Sequence, residues 1–431
     1  MASKAGSTPA GALVPVADLR IGLYIELDLG WMAHPFPTSS FKISTEKQIE
    51  TLRGLGLKEL RYLPEKSDPP VSVEPRPADG VNANAGPGEA AGAPPPERSR
   101  SEQLRLQQRE LAACERRMTD TIRQYRQVLD QVNKQPLQAR DQCAALIDGF
   151  VGELLGNGES AIRLLSDGMG DKLSMHPVNV SVLSLLLGKY MGLAAPEMSE
   201  LGLAAFLHDI GKAQVPDRVR WADDSFSSAE NKAYQEHVAQ GVLIGQRMQL
   251  AAGVLQAIAQ HHELVDGSGF PGRIKGDAMS RSGKIVALVN RYDDLCNPSR
   301  PANALTPHEA LALIFAQMKT RFDATVLGAF IRMMGVYPPG SVVQLNDERF
   351  AMVVSVNSSR PLKPRVIVFE PRVPKNEALI LDLEREPALG IRRSLKPMTL
   401  PRSAMDYLSP RQRISYFFER AVDAAESELA Q

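Results

Sequence analysis

The chain is poor in cysteine, carries no excess charge of either sign and lacks a long unbroken apolar run. Its three cysteines, Cys114, Cys143 and Cys296, form neither a metal-type pair nor a disulfide framework, which fits a reducing cytosol. Lys+Arg and Asp+Glu are each 50, so the formal net charge is +0 and no global attraction to a nucleic-acid polymer is expected. The most apolar stretch, residues 178–195, is interrupted by Asn179, Ser181, Ser184 and Lys189 and does not read as a membrane span. The opening MASKAGSTPAGALVPV has no apolar core of signal-peptide length, so a cytoplasmic protein is expected. What is present is ordinary for a soluble globular chain, 43% apolar and 23% charged, and 431 residues call for two or three domains.

Residues 1–64 read as a small α/β domain. RIGLYIELDLG (residues 20–30) has strand composition, Thr45-x-x-Gln48 has the form of a capping box ahead of Ile49 and Leu52, and residues 57–63 read as a further strand. Residues 65–100 are rich in Pro, Gly, Ala and Asn and hold almost no large apolar residue, the composition of a disordered linker. A long helix is expected over 101–141, its first part (101–134) carrying Leu104, Leu111, Met118, Tyr125 and Val132 at seven-residue spacing. That seam either docks on its own domain or pairs two copies as a homodimer. Residues 142–335 carry helical patterns throughout and form the main core. Residues 336–375 read as a β meander, and 376–431 as a mostly helical tail ending in an amphipathic segment at 411–429. The fold class is therefore mainly α, with a small α/β N-terminal domain and a short β-rich C-terminal module.

Five of the seven histidines lie between positions 176 and 262. His208 and Asp209 are adjacent at the end of an apolar helical run. Both can reach one metal centre, and the two oxygens of Asp209 could serve two ions. Lys212 is placed for an anionic ligand. His237 lies on the next helix, and His261-His262 close another. The loop Asp266-Gly267-Ser268-Gly269-Phe270-Pro271 then allows close approach of backbone to a ligand. Asn290, Asp293 and Asp294 share a helix face. Taken singly, each feature has an ordinary structural explanation: a lone His176 is more often a packed residue, DGSG more often a plain turn, and Asp293-Asp294 more often a solvated face. His34 and His308 are left at that explanation. Five histidines, HDxGK and HHExxDGSGxP in this order do not coincide by chance.

On these residues the chain resembles the HD-GYP domain, a helical subgroup of the HD metal-dependent phosphohydrolases that hydrolyse cyclic di-GMP. The resemblance covers about residues 160–335. It implies a multi-helix HD-type core and two divalent ions, iron or manganese. The implied metal ligands are His176, His208, Asp209, His237, His261, His262 and, at the position of a late helical carboxylate, Asn290. Asp209 and Lys212 take the catalytic roles. Lys212, Asp266, Gly267, Gly269, Phe270, Pro271 and Arg291 are the implied substrate contacts. Cyclic di-GMP is the implied ligand and a diguanylate cyclase a candidate partner. The N-terminal unit resembles an uncharacterised domain often found ahead of this enzyme class.

Three positions depart from the family pattern. Phe270 replaces the tyrosine of Gly-Tyr-Pro and removes its hydroxyl. Lys172 occupies the position at which some members carry a glutamate that helps hold a third metal, so at most two ions are expected. Asn290 replaces a carboxylate with a neutral amide, which lowers the expected metal affinity. The rival reading is a catalytically weakened scaffold that binds cyclic di-GMP or a diguanylate cyclase. Hydrolysis of another nucleotide phosphate is a third reading, which the DGSGFP loop disfavours.

Overall fold

The computed structural model describes residues 12–27, 40–54, 57, 59–68, 99–156, 159–167, 170–223, 225–357, 360–386 and 388–421. They fall into two units, residues 1–98 and 99–431. The first contains β1 (Ala12–Pro15), β2 (Tyr24–Glu26), β3 (Ser40–Lys42), α1 (Glu46–Gly54) and β4 (Glu59–Tyr62). Among the described residues its strands form an antiparallel sheet in the order β1-β4-β2-β3. The capping box is formed: the Gln48 amide N–H donates to Thr45 Oγ1 at 3.3 Å, and Gln48 Oε1 accepts from the Ser44 and Thr45 amides at 2.6 and 3.1 Å. Ile49 and Leu52 then pack with Ile25, Ile43 and Leu60 in one small core. The strand expected over 20–30 is realised as β2. Residues 28–30, His34 and positions 69–98 of the expected linker lie outside the described residues.

The second unit is mainly helical. It begins with α2 (Arg100–Gln131), started by a reciprocal cap between Ser99 and Glu102. Met118, Ile122, Tyr125, Val128 and Val132 are buried in their own domain's core. From Met118 onward the seven-residue seam is thus occupied at home, with Leu111 partly buried against the same core. The expected single helix over 101–141 is two helices. Gln135 leaves helical geometry, and α3 (Pro136–Leu155) starts at a proline, which has no amide hydrogen to continue the preceding ladder.

After β5 (Glu159–Leu164) come α4 (Lys172–Tyr190), α5 (Ala195–Leu207), α6 (Ser228–Arg247), α7 (Ala252–Gln260), α8 (Arg281–Cys296), α9 (Pro307–Met318) and α10 (Ala324–Met334). Helix α4 is the axis of this bundle, with every residue from 174 to 188 buried. A helix apolar on all sides needs neighbours on all sides, and α4 packs on α2, α3, α5, α8 and α10. Strand β5 is an addition to the helical core expected over 142–335.

The chain then forms β6 (Val342–Leu345), β7 (Phe350–Asn357), β8 (Arg365–Val368), β9 (Ile380–Asp382), β10 (Ile391–Leu395), α11 (Arg402–Leu408) and β11 (Tyr416–Ala421). With β5 these strands form an antiparallel sheet in the order β10-β6-β7-β5-β11, with β8 on β7 and β9 on β8. The expected meander is present as β6, β7 and β8.

The mostly helical tail expected over 376–431 is corrected. Its described part holds three strands, β9, β10 and β11, and the single short α-helix α11, and β11 pairs residue for residue with β5, from Tyr416↔Leu164 to Ala421↔Glu159. Ile414, Phe417, Phe418 and Ala421 have helical spacing, which misleads a reading by period. Tyr416, Phe417 and Phe418 are instead consecutive buried residues of a strand covered on both faces. Residues 422–431 of the expected tail lie outside the described residues.

Candidate metal centre

Five helices and one short turn of the second unit deliver the polar cluster at its centre. Helix α4 carries His176, and α5 ends so that His208 and Asp209 cap it. The short 3-10 turn Ile210–Gln214 brings Lys212 back under Asp209. Helix α6 carries His237, the end of α7 carries His261 and His262, and α8 carries Asn290, Asp293 and Asp294. Gly211 makes the turn possible. A Cβ there would overlap the backbone carbonyl of His237 and the amide of Gly241, so only glycine lets the His-Asp turn lie flat on α6.

The imidazoles are fixed by a repeated device. His208, His237 and His261 each donate Nδ1–H to a carbonyl three residues earlier: Ala205 at 2.7 Å, Tyr234 at 2.6 Å and Ile258 at 2.6 Å. This leaves each Nε2 as a bare acceptor aimed inward. Two such atoms, Nε2 of His237 and of His261, stand only 3.1 Å apart. Two lone pairs at that separation repel unless a cation lies between them. Ligands about 2.0–2.1 Å from a common ion lie roughly 3 Å apart, so the spacing is that of a metal-binding pair. His176 and His208 repeat it, Nε2 to Nε2, at 3.2 Å.

Asp209 joins the two pairs. Its Oδ2 is 3.5 and 3.4 Å from Nε2 of His176 and His208, and its Oδ1 is 3.6 Å from Nε2 of both His237 and His261. Oδ1 is buried with no hydrogen-bond partner. A buried, unsatisfied carboxylate oxygen is costly in protein alone and is explained by a cation ligand. Two groups can therefore hold ions: His176, His208 and Asp209, and Asp209, His237, His261 and His262. The donors are imidazole and carboxylate without thiolate, which suits a divalent transition metal.

Charges tune the same groups. Burial opposes ionisation of Asp209, but Lys212, with Nζ 2.6 Å from Oδ2, and then His208 hold its carboxyl well below the usual range. Burial and then the Lys212 charge push the His237 pKa down to about 3, and burial among other imidazoles pushes His262 well below its ordinary value. Both rings are neutral at physiological pH, as metal ligation requires. His176 is shifted the other way: burial lowers its pKa, but the hydrogen bond and charge of Asp293 outweigh this and raise it.

The structure gathers His176, His208, Asp209, Lys212, His237, His261 and His262 in one cluster, all buried but His262, which is half-buried. Asn290 joins them with Oδ1 2.9 Å from His176 Nε2. Asp293 sits behind the cluster, on Nδ1 of His176, and Asp294 pairs with Lys172 at 3.3 Å. In the loop, Phe270 stacks on His262 with centroids 4.5 Å apart. Gly269 is buried against Leu264, while Pro271 and Arg291 are exposed. Asp266 is exposed too, with Oδ1 accepting from the Ser268 amide at 2.9 Å.

Other residues of the site carried no sequence signal of their own. Glu263 is buried and accepts from the Gly272 and Ile274 amides at 2.5 and 3.1 Å, tying down the loop. Trp221 has the ammonium groups of Lys212 and Lys172 over its ring at 4.3 and 4.5 Å. Asn179 and Asn297 clamp Asp293, and Tyr234 contacts His262. Glu263 stands inside HHExxDGSGxP, so its place was visible though its role was not.

A helical bundle that closes around a His-Asp pair with a shared carboxylate, and around four further histidines from neighbouring helices, defines a metal-dependent phosphohydrolase of the HD type. The chain belongs to this HD-domain family, in the HD-GYP architecture. Residues 159–326 match the HD domain, 13–143 match a domain of unknown function (DUF3391), and 342–403 match a KOW domain associated with the HD domain. The chain is 26% identical over 362 residues to the cyclic di-GMP phosphodiesterase PA4108 of Pseudomonas aeruginosa, covering 83% of this chain and 84% of that protein. It is 33% identical over 150 residues to the cyclic di-GMP phosphodiesterase response regulator RpfG of Xanthomonas campestris pv. campestris (34% and 39% covered). It is 34% identical over 176 residues to the 3'3'-cGAMP-specific phosphodiesterase 2 of Vibrio cholerae (40% and 32% covered). Among solved structures, the HD-GYP-type protein Bd1817 of Bdellovibrio bacteriovorus aligns with a TM-score of 0.42 at 15% identity, over 74% of this chain and 97% of that one. No helix among the described residues is long and apolar enough to cross a membrane.

Proposed function

We propose that the chain is a phosphodiesterase of cyclic dinucleotides, with cyclic di-GMP as substrate and linear dinucleotide or GMP as product, acting in bacterial second-messenger signalling. The observation that carries this reading is the single carboxylate of Asp209 set between two imidazole pairs. Two divalent ions, iron or manganese, would be held by His176, His208, Asp209 and Asn290 on one side and by Asp209, His237, His261 and His262 on the other. Bound ions of this kind supply Lewis-acid charge to a phosphoryl oxygen and an activated water near neutral pH.

The chain's own residues do the rest. Asp209 is kept ionised by Lys212, whose ammonium is buried on its Oδ2, so the lysine lends its charge to the site through that carboxylate. Buried helices exclude bulk water from the imidazole pairs, which strengthens every charge interaction there. Phe270 and the glycines at 267 and 269 form a loop whose backbone can lie close to a dinucleotide, and Arg291, exposed beside Asn290, is placed for a phosphate. Asp266, Gly267, Gly269, Phe270, Pro271 and Arg291 are the proposed substrate contacts, with Lys212 acting on the substrate through Asp209.

The neutral oxygen of Asn290 favours a second reading, a weakened enzyme that serves as a scaffold for cyclic di-GMP or a diguanylate cyclase. One experiment separates them. The protein is purified without oxygen, its iron and manganese are measured, and cyclic di-GMP and 3'3'-cGAMP are supplied in turn. Two ions with cyclic di-GMP turnover support the enzyme, turnover of 3'3'-cGAMP alone moves the substrate, and two ions with neither turned over support the scaffold.

A further inference from the structure

His262 is the odd member of the cluster. The other three histidines that lie with Asp209 and its neighbours on α5, α6 and α7 all follow one rule, with Nδ1–H on a carbonyl three residues back and Nε2 facing inward. His262 does not. Its Nε2 lies 3.2 Å from the hydroxyl of Tyr234, and its ring is stacked on Phe270 with planes 21° apart. One of its ring nitrogens nevertheless lies within 4.8 Å of the donor atoms of Asp209, His237 and His261.

Tyr234 is equally unusual. It is buried, and it serves two neighbouring histidines at once. Its carbonyl takes Nδ1–H of His237 at 2.6 Å, while its hydroxyl meets Nε2 of His262. Its ring lies 4.9 Å from His237 and 6.0 Å from Phe270. Phe270, against the same imidazole, has no hydroxyl to offer. The hydrogen-bonding partner for this histidine thus comes from α6 and not from the Gly-Phe-Pro loop.

We propose that Tyr234 is a positioning residue that supports the metal-binding tautomer of His262: the imidazole carries its hydrogen on Nε2, donates it to Tyr234 Oη, and presents Nδ1 to the ion held with Asp209, His237 and His261. A neutral imidazole has one lone pair on nitrogen. With Nε2 protonated it faces the ion from Nδ1, the reverse of the pattern in His208, His237 and His261. A hydroxyl can accept or donate, so it is an ion on Nδ1 that fixes this tautomer, and the phenol supports it by accepting the Nε2 hydrogen. If the hydrogen sat on Nδ1 and Nε2 accepted from the phenol, neither nitrogen could bind. Partners behind a metal-bound histidine typically govern about 10–100-fold in metal affinity, so the hydroxyl should matter on one side of the site only.

This inference rests on the two-ion reading above, and the test keeps the two apart. Full-length protein is stripped of metal and titrated with Mn2+, and bound metal is counted after equilibrium dialysis. The same is done for Tyr234→Phe, which keeps the ring and the backbone carbonyl, and for Tyr234→Met. Wild type is expected to hold two ions. Both variants should hold the ion of His176 and His208 with unchanged affinity, which also certifies their fold, and bind the second about 10–100-fold more weakly. In Zn2+-loaded wild type labelled with 15N-histidine, His262 should be the ligand bound through Nδ1 with Nε2 protonated. Two ions held equally by wild type and Tyr234→Phe overturn the inference alone, as does a His262 bound through Nε2. A wild type holding fewer than two ions overturns the two-ion reading and this inference with it.

Discussion

Asp293 Oδ2 lies 2.6 Å from Nδ1 of His176, and the carboxylate has no unused side. Its Oδ1 accepts from Asn179 Nδ2 at 2.9 Å and Asn297 Nδ2 at 3.0 Å. The same two asparagines hold the backbone leading into β11, through the Ile414 carbonyl and the Ile414 and Tyr416 amides. The C-terminal strand is thereby connected through two amides and a carboxylate to the first histidine of the centre. Replacing Asp293 with Asn should free the His176 tautomer and lower affinity for the ion on that side about 10–100-fold. Mn2+ titration of the variant checks this, and unchanged affinity would remove Asp293 from the centre's supporting shell.

Asn290 offers the opposite experiment. Its Oδ1 already points at the His176 side, 2.9 Å from Nε2, so the change to Asp adds charge at an atom that is in place. Ligand charge count is a main determinant of cation affinity, and Asn290→Asp should tighten the first ion by about tenfold or more. If Asn290 is what limits turnover, cyclic di-GMP hydrolysis rises with occupancy. A variant that binds no more metal than wild type would show that this amide is not in the ligand set.

The histidine shifts set a pH dependence for the metal-free protein. His237 is neutral when folded, with a pKa of about 3, because burial and then Lys212 disfavour its cation, and His262 shifts in the same direction. A base with a depressed folded pKa binds fewer protons folded than unfolded. Its stabilising contribution is complete above the unfolded value near 6.5 and is lost as pH falls toward 3, by about 1.4 kcal/mol per pH unit for each such group. His176, raised by Asp293 against its own burial, contributes in the opposite sense. The metal-free protein should therefore become easier to unfold in urea between pH 7 and pH 4. A His237→Gln variant should show a slope shallower by one proton, and equal slopes would refute the assignment.

The fold class and the cluster were legible because both rest on local signals. Apolar period marks helices such as α6 and α8, and histidine followed by aspartate at a helix end marks a ligand site. What escaped depended on partners distant in sequence. The stretch around Phe417-Phe418 has helical spacing, and only pairing with β5 makes it a strand. Met118 and Tyr125 sit on a coiled-coil seam until the rest of the domain covers them. Tyr234 and Asn179 gain their roles from residues 28 to 237 positions away, and Asn297 reaches Ile414 117 positions away, and no single-sequence pattern reports such contacts. Asp293 was identified as a candidate on the right helix face, but its place behind His176 required the coordinates.

Glu263 provides a test of the loop independent of the metal. Its side chain is buried, and both oxygens accept backbone N–H groups, from Gly272 at 2.5 Å and Ile274 at 3.1 Å, so one carboxylate closes the turn that carries Phe270. Glu263→Gln keeps the shape but sets an NH2 group against one of those donors, leaving a buried amide unpaired at a cost of about 1–3 kcal/mol. Because Glu263 belongs to neither donor group, metal content should stay at the wild-type level. Amide exchange across residues 264–276 should accelerate, and KM for the dinucleotide should rise more than kcat falls. Loss of metal in this variant, or exchange as slow as in wild type, would mean that the loop is held by something other than this carboxylate.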